Sequence, residues 1–266
     1  MLEVEFAQLT DAGRVRDHNE DYVGYALPET PERARALGWL FALADGVGGQ
    51  DLGEVASRAA VECLIAGFRA ASGGEAPGTL LARLVGAANT HVFETGMAAA
   101  KSGTSMATTL VACVLRFDRA VVAHVGDSRC YLVRHGKAEA LTRDHTLVNE
   151  QVRLGVLSAR QAAESESRHL LSRSVGNEMF VSVETNEHLL LPGDVLMLCS
   201  DGLHASLEPS EIATLVAHTR DLKESAHKLV DVAKERDGSD NISVQLIRVK
   251  NVERVGMYRG RPYRLR

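Results

Sequence analysis

Residues 196–205 read LMLCSDGLHA and place a carboxylate, Asp201, directly after an apolar run that is typical of a buried strand. A buried carboxylate without a partner costs several kcal/mol of folding free energy. The strand therefore needs a helix start, a basic side chain or a metal ion at its end. The remainder of the chain has to show which of these it uses.

Apolar runs and helical periodicity predict the secondary structure around this stretch. Strands are predicted at WLFALA (39–44), MATTLVACVL (106–115), AVVAHVG (120–126), RCYLVR (129–134), DVLMLCS (194–200) and ISVQLIRV (242–249). Helices are predicted at 53–70, 79–100, 208–219 and 221–236, with a polar helical segment, broken at Gly155, at 145–165. Because strands and helices are grouped rather than strictly alternating, we expect an α+β fold of antiparallel sheets flanked by helices.

Composition and charge narrow the class of protein. The 266 residues are 45% hydrophobic and 24% charged with a net charge of −5, so no bulk attraction to nucleic acid or anionic membrane is expected. No apolar run approaches the roughly 20 residues of a membrane span, and the acidic N-terminus does not resemble a signal peptide. The cysteines form no CxxC pair, which argues against zinc and favours a cytoplasmic protein with reduced cysteines: Cys63, Cys113, Cys130 and Cys199.

Carboxylates stand at the ends of several predicted strands or beside an acidic neighbour near the start of the chain: Glu20, Asp21, Asp45, Asp127, Asp201 and Asp240. One Asp-Gly pair at a strand end is usually a turn, but several carboxylates at one point repel each other unless cations lie between them. Oxygen ligands select Mg²⁺, Mn²⁺ or Ca²⁺. Two such ions can activate water and bind a phosphate ester, and Arg14 or Arg16 is close enough in sequence to hold its oxygens.

Eight motifs occur in order along the chain: RDHNED, ADGVGG, SGTSMATTL, VGDSRCYL, LTRDHTLVNEQVRLG, LLSRSVG, LLPGDVLMLCSDGL and GSDNISV. Together they resemble the bacterial metal-dependent Ser/Thr protein phosphatases, also called type 2C. The resemblance implies a sandwich of two antiparallel β-sheets flanked by helix pairs, with a helical flap insertion at 145–170 near the active site. It implies a catalytic domain at 1–250 and a basic tail at 251–266. For the basic stretch MYRGRPYRLR (257–266) we favour a frayed end over a docking element.

The resemblance also implies metal ligands. Asp45 would bridge two ions of Mn²⁺ or Mg²⁺, and the Gly46 carbonyl would bind one of them. Asp201 and Asp240 would bind the other ion. Attack on phosphorus would come from the bridging hydroxide, without a phosphoenzyme.

Further roles follow from the same resemblance. Glu20 and Asp21 would lie in or just behind the ligand sphere, and Asp127 together with Asp201 would hold a third ion. Arg16 matches the phosphate-binding arginine of the family, whereas Arg14 does not match and is interpreted as a surface charge.

The chain departs from the family pattern at the general acid. Many members have histidine where this chain has Val47 and Gln50, and neither of these can donate the proton. Protonation of the leaving group is worth ~10²–10⁴ in rate, and a metal-bound water or His18 could supply it, so the acid stays unassigned. Three other polar residues are interpreted as structural: His124, His145 and Asn241.

We expect a monomeric phosphatase that acts on phosphoserine and phosphothreonine in proteins and opposes a bacterial Ser/Thr kinase, with type VI secretion as one setting. Phosphorylated proteins and a cognate kinase are the expected partners. Two alternatives stay open: an inactive phosphoprotein-binding regulator and a hydrolase of small phosphate esters. An inactive relative would usually have lost a metal carboxylate, and none is missing here.

Overall fold

Two antiparallel β-sheets lie face to face across a shared apolar core. The structure is a computed structural model and describes residues 1–47, 52–99, 106–219, 221–258 and 261–264. The strands of the first sheet are β1 (Glu3–Asp11), β7 (Arg129–Arg134), β8 (Lys137–Ala140), β10 (Val195–Cys199) and β11 (Ile242–Asn251). They pair in the order β1-β11-β10-β7-β8.

The second sheet is built in the same antiparallel way. Its strands are β2 (Asp21–Ala26), β3 (Trp39–Val47), β5 (Leu110–Arg116), β6 (Arg119–Val125) and β9 (Glu184–Leu189). They pair in the order β2-β3-β5-β6-β9, and the short β4 (Ala107–Thr108) pairs with β3 beside this path. Both sheets contribute buried apolar side chains to the space between them, including Phe41, Val111, Val122, Leu196, Leu198 and Ile247. The predicted antiparallel sandwich is thereby confirmed.

Helices cover both outer faces of the sandwich. They are α1 (Pro31–Ala36), α2 (Gly53–Ala70), α3 (Pro77–Ala99), α4 (Leu147–Arg153), α5 (Ala159–Ala163), α6 (Asp201–His204), α7 (Pro209–Ala217) and α8 (Leu222–Arg236). Helices α2 and α3 pack on the second sheet, and α7 and α8 pack on the first. The short α4 and α5 form the predicted helical insertion. No helix in the described part of the chain is long and apolar enough to cross a membrane.

Helix α2 illustrates how the sequence pattern produces the packing. Its predicted bounds agree with the observed Gly53–Ala70. Ala56, Ala60, Leu64 and Phe68 recur at every fourth residue, so they lie on one face, and each is at most 3% exposed. Burial of this apolar face, at roughly 25 cal/mol per Å², holds the helix against the second sheet.

Several elements were missed by the prediction because they lack an apolar run. Only Ala7 is buried in β1 and no side chain is fully buried in β9, so the inward side chains of both strands are mostly only half-buried. Strand β9 reads ETNEHL and is almost entirely polar. Such strands are stabilised by backbone pairing with neighbours that the local sequence does not reveal. Strand β2 and the short helices α1 and α6 were also missed.

The interpretation of the C-terminal stretch as a frayed end was wrong for residues 257–258 and 261–264. There β12 (Val255–Tyr258) pairs antiparallel with β13 (Arg261–Arg264) as a separate two-stranded sheet. Gly256 lies opposite Tyr263 and leaves room for its ring. Main-chain pairing does not depend on side-chain charge, so the basic composition did not prevent it.

The apolar face of α2 predicts an asymmetric response to truncation. We expect Leu64→Ala to lower the free energy of unfolding by about 2–5 kcal/mol, because a fully buried side chain leaves a cavity. The control is Val55→Ala on the same helix, where the side chain is 44% exposed and we expect a change within about 0.5 kcal/mol. Urea unfolding measures both. Equal losses for the two variants would contradict this account of the packing.

Candidate metal centre

Antiparallel pairing brings the predicted carboxylates to one edge of the sandwich. Asp21 at the start of β2 lies directly opposite Asp45 near the end of β3. Leu110 at the start of β5 lies opposite Val125, so the turn after β6 that carries Asp127 is at the same edge. In the first sheet, Cys199 pairs with both Arg129 and Val244, which brings the residues after β10 and before β11 alongside that turn. These residues are Asp201 and Asp240.

The backbone around Asp45 is fixed by neighbouring hydroxyl and amide groups. Its N–H donates to Thr109 Oγ1 at 2.9 Å, and its carbonyl oxygen accepts from Thr108 Oγ1 at 2.7 Å and from the Thr109 N–H at 2.8 Å. The N–H of Gly46 donates to the Glu20 carbonyl at 3.1 Å. A Cβ on Gly46 would overlap the backbone of Gly53, so the first turn of α2 can approach this strand only where residue 46 is glycine.

The side chain of Asp21 is held by Ser200, which follows β10, and Ser200 is held in turn by Ser243 of β11. Ser200 Oγ donates to Asp21 Oδ2 at 2.8 Å and accepts the N–H of Ser243 at 2.9 Å. Both serines are fully buried, and Asp21 is 6% exposed. This chain of bonds orients the carboxylate toward the edge where Asp201 and Asp240 lie.

Burial and like charge raise the pKa values of the clustered carboxylates. The pKa of Asp21 rises to about 7, first because of desolvation and further because of Asp201 and Asp240. Desolvation likewise raises the pKa of Asp127 to about 7, with Asp201 and Asp144 adding repulsion. Desolvation raises the pKa of Asp45 well above its ordinary value, and the neighbouring aspartates raise it further. The basic side chains near this cluster therefore do not balance the negative charge of its carboxylates.

The donor set fits divalent cations. Asp21 Oδ1 and Asp201 Oδ1 are buried and accept no hydrogen bond from any described residue. Such atoms lose several kcal/mol of hydration unless another partner replaces water. All donors here are oxygens, and Mg²⁺ or Mn²⁺ prefers this set. The residues that would hold the ions are Asp45, Gly46, Asp201 and Asp240, with Glu20, Asp21 and Asp127 beside them, and this assignment stays a prediction.

Arg16 lies at the rim of this cluster. Its Nη2 is 3.0 Å from both carboxylate oxygens of Asp240, and its Nε donates to the Ser239 carbonyl at 3.4 Å. The side chain is 45% exposed. A guanidinium in this position can bind phosphate oxygens from solvent while remaining beside the carboxylates.

Glu20 lies between the rim and helix α2. Desolvation raises its pKa, and Arg16 partly offsets this effect. A Cβ on Gly53 would lie 2.7 Å from the Glu20 carboxylate, which therefore abuts the first turn of α2. The positive end of the helix dipole favours a carboxylate there.

A groove of about 620 Å³ separates the α4–α5 insertion from the metal edge. Asp127 and Asp201 line one side, and Asn149, Arg168 and His169 line the other. The insertion is therefore close enough to contact a polypeptide bound at the cluster.

The candidate acids and the structural histidines occupy different environments. His18 and Val47 are exposed, and Gln50 lies outside the described residues. The rings of His124 and His145 stack at 4.6 Å in the interior, where burial lowers the pKa of His145 to about 4.

His124, His145 and Glu184 form a group whose ligand atoms lie within 4.8 Å of one another. The Gly126 N–H donates to His145 Nδ1 at 3.2 Å. A backbone N–H can only donate, so the proton of the neutral ring is on Nε2, which faces Glu184 at 3.3 Å. That proton occupies the position a metal would need, which supports a structural role for these histidines.

Some supporting residues were not found by sequence reasoning. They are Ser200, Ser243, Thr108, Thr109 and His204, whose Nε2 lies 3.0 Å from the Asp127 carbonyl. Small hydroxyl residues next to carboxylates are common in turns, so their position beside the motifs was a weak signal.

Comparisons with known proteins identify one family. The family model described as Protein phosphatase 2C matches residues 17–246. The serine/threonine phosphatase stp of Listeria innocua is 34% identical over 258 residues, covering 95% of this chain and 96% of that protein.

Two solved structures are similar as well. The catalytic domain of the serine/threonine protein phosphatase PstP, in complex with two manganese ions, is 30% identical, with a TM-score of 0.80 and coverage of 94% of this chain and 100% of that one. PppA, a key regulatory component of T6SS in Pseudomonas aeruginosa, is 28% identical, with a TM-score of 0.75 and coverage of 92% and 97%.

The family match extends from residue 17, next to Arg16, to residue 246 in β11, and so includes most of the edge where the carboxylates meet. The relatives are similar in sequence and in fold over nearly the whole chain. The chain therefore belongs to the protein phosphatase 2C family, the metal-dependent serine/threonine protein phosphatases.

Proposed function

We propose that the chain hydrolyses phosphoserine and phosphothreonine in proteins by direct attack of water at a dinuclear metal site formed by the edge carboxylates. The observation that carries the proposal is the convergence of buried aspartates with unpartnered oxygens, Asp21 and Asp201, at one edge of the sandwich. When bound, Mn²⁺ or Mg²⁺ would polarise the attacking water and neutralise charge on the phosphoryl oxygens.

The chain's own residues would align the phosphate and exclude competing reactions. Arg16 would hold two phosphoryl oxygens in a bidentate pair, which orients phosphorus toward the metal edge. Asp45 is held rigidly by Thr108 and Thr109, so its carboxylate would keep a constant distance to Asp201 across the two sheets. A third ion would lie at Asp127.

The leaving hydroxyl of the phosphoresidue needs a proton. His18 is exposed and lies two residues after Arg16, so it is one candidate for the proton donor. Val47 stands where many family members have histidine, and valine has no proton that it can donate. We propose that His18 or solvent at the site supplies the proton.

A cognate bacterial Ser/Thr kinase is the proposed opposing enzyme. The similarity to PppA supports a setting in type VI secretion control. The inactive-regulator alternative is disfavoured because every predicted metal carboxylate is present at the edge. The small-ester alternative is less favoured because residues of the α4–α5 insertion line a groove beside Asp127 and Asp201, which gives a polypeptide substrate a surface to contact.

The first test of the function is phosphate release from a phosphothreonine peptide. Removal of metal with EDTA should abolish activity, and Mn²⁺ should restore it. Asp201→Asn should lower kcat/KM by about 100-fold or more, because the amide is a weaker, uncharged ligand. The matched control is Asp231→Asn on the exposed side of α8, which should keep full activity.

Three outcomes would contradict the proposal. If Asp201→Asn is as active as Asp231→Asn, the carboxylates at the sheet edge are not needed for hydrolysis. A kcat/KM for p-nitrophenyl phosphate above that for the phosphopeptide would favour the small-ester alternative. No turnover with either substrate would favour the regulator.

The raised pKa of Asp21 predicts a pH-dependent penalty in metal-free protein. The folded pKa of about 7 lies above the ordinary value of 3.8, so the folded state retains the proton. The stability that this group contributes is present below pH ~4 and is lost as the pH rises through ~7. Asp21→Asn does not titrate, so in EDTA it should gain on the wild type between pH 5 and pH 8, by a few kcal/mol at most.

Urea unfolding of both proteins in EDTA at pH 5 and pH 8 measures this difference. Mn²⁺ should then stabilise the wild type more at pH 8 than at pH 5, since ionised carboxylates bind it. A stability difference between the two proteins that is the same at both pH values would show that Asp21 is not strained by its neighbours.

A further inference from the structure

The buried amide of Asn241 joins two segments that meet at the metal edge: the Arg16 loop (residues 12–20) and the residues 238–241 before β11. Its Oδ1 accepts the Glu20 N–H at 2.8 Å. Its Nδ2 donates to the Ala12 carbonyl at 3.1 Å and to the His18 carbonyl at 3.0 Å. The residue is 4% exposed. One side chain thus binds the Arg16 loop at its beginning and at two positions near its end.

The backbones of these two segments are also in close contact. The Arg14 N–H donates to the Gly238 carbonyl at 2.7 Å. Gly13 has a φ of +79°, and a Cβ there would overlap the Asp240 carbonyl oxygen, so only glycine allows this approach. The Arg16 loop is therefore seated on the residues that carry Asp240.

Arg16 depends on this seat for its position. Its side chain is 45% exposed, and its polar contacts are with Ser239 and Asp240 of the same segment. A long, solvent-exposed arginine has about 2 kcal/mol of rotamer entropy, so it binds phosphate well only if its backbone is already placed. Small displacements of a phosphate-binding group cost large factors in rate.

We infer that Asn241 is a positioning residue that fixes the Arg16 loop against Asp240, so that phosphate binding and the metal edge keep one geometry. The inference rests on the proposed role of Arg16 in binding phosphate. It assigns to the amide an effect on substrate phosphate that is transmitted through the loop, without contact between Asn241 and substrate.

Asn89 on α3 offers a matched control. Its Oδ1 accepts the Gly176 N–H at 2.8 Å, and its Nδ2 donates to two carbonyls, those of Glu178 and Met179, at 3.0 and 3.1 Å. It is 1% exposed. Asn89→Ala therefore removes three hydrogen bonds of the same kinds from an equally buried side chain that holds a different loop.

The first measurement is amide hydrogen exchange in metal-free protein, which does not depend on turnover. In Asn241→Ala the Arg14 amide should exchange at least ~10-fold faster, although its own partner, Gly238, is untouched. In Asn89→Ala the Arg14 amide should exchange as in the wild type. Unchanged Arg14 exchange in Asn241→Ala would overturn the inference, because the loop would then be held without the amide.

The second measurement is a double-mutant cycle between Asn241→Ala and Arg16→Ala in the Mn²⁺-loaded enzyme. Asn241→Ala alone should raise the KM for phosphopeptide and the inhibition constant of inorganic phosphate by ~10-fold, with a smaller change in kcat. Added to Arg16→Ala, it should raise neither constant further. If Asn241→Ala fails to fold, Asn241→Ser, which keeps one polar atom, takes its place in both experiments.

The outcomes separate the two proposals. If Arg16→Ala leaves both constants unchanged, the role of Arg16 fails, and the inference about Asn241 fails with it. If Arg16→Ala weakens phosphate binding but Asn241→Ala adds its full effect in that background, the proposed function stands and the inference is overturned. An Asn89→Ala enzyme with the same rise in both constants would reduce the effect of Asn241 to general destabilisation.

Discussion

Aspartates with raised pKa values crowd one edge of the sandwich, and their mutual repulsion is the constraint to which the surrounding structure responds. Asp21, Asp45, Asp127 and Asp201 each lose hydration, and neighbouring negative charge raises their pKa values further. A small or weakly packed protein would relieve this repulsion by opening. Here the carboxylates project from strands whose other residues form the interior of the fold, so the edge stays closed.

Three apolar clusters provide the necessary stability. One fills the space between the sheets, and the others bury α2 with α3 and α7 with α8 against the outer faces. The carboxylates stand at strand ends, where the chain leaves this interior and can change direction. The candidate metal site thus lies at the boundary of the core. There polar groups lose less hydration than in the interior, and a cation can still enter from solvent.

Orientation of the charged groups depends on short, neutral side chains. Ser200 and Ser243 hold Asp21, Thr108 and Thr109 hold the backbone of Asp45, and the amide of Asn241 spans the Arg16 loop. Hydroxyl and amide groups suit this task because they donate hydrogen bonds without adding a charge that would compete with a metal ion. The result is an edge whose charges are strongly unbalanced but geometrically fixed.

The sequence by itself determined the α+β class, the two long helices α2 and α3, most central strands and the chemical character of the site. These features are local, since apolar runs, apolar residues at helical spacing and Asp-Gly pairs at strand ends are visible in a window of about ten to twenty residues. It also indicated Arg16 over Arg14 through the motif resemblance. The half-polar strands β1, β2 and β9 were not visible, because their stability comes from pairing with other strands of the two sheets. Strands β12 and β13 were not visible because they are short and lie in an arginine-rich stretch without a long apolar run.

Only the tertiary structure decided which residues support the carboxylates. Ser200 meets Asp21 across 179 positions of sequence, and Asn241 meets Glu20 across 221. Contacts of this range arise from strand register, which places distant residues side by side at one sheet edge, and no local pattern encodes them. Local geometry explains one part of the role of Asp201 in LMLCSDGL, because this residue begins α6. The other part depends on the tertiary structure: the buried oxygen of Asp201 that lacks a hydrogen-bond partner becomes part of a candidate metal site only because the fold places other aspartates beside it.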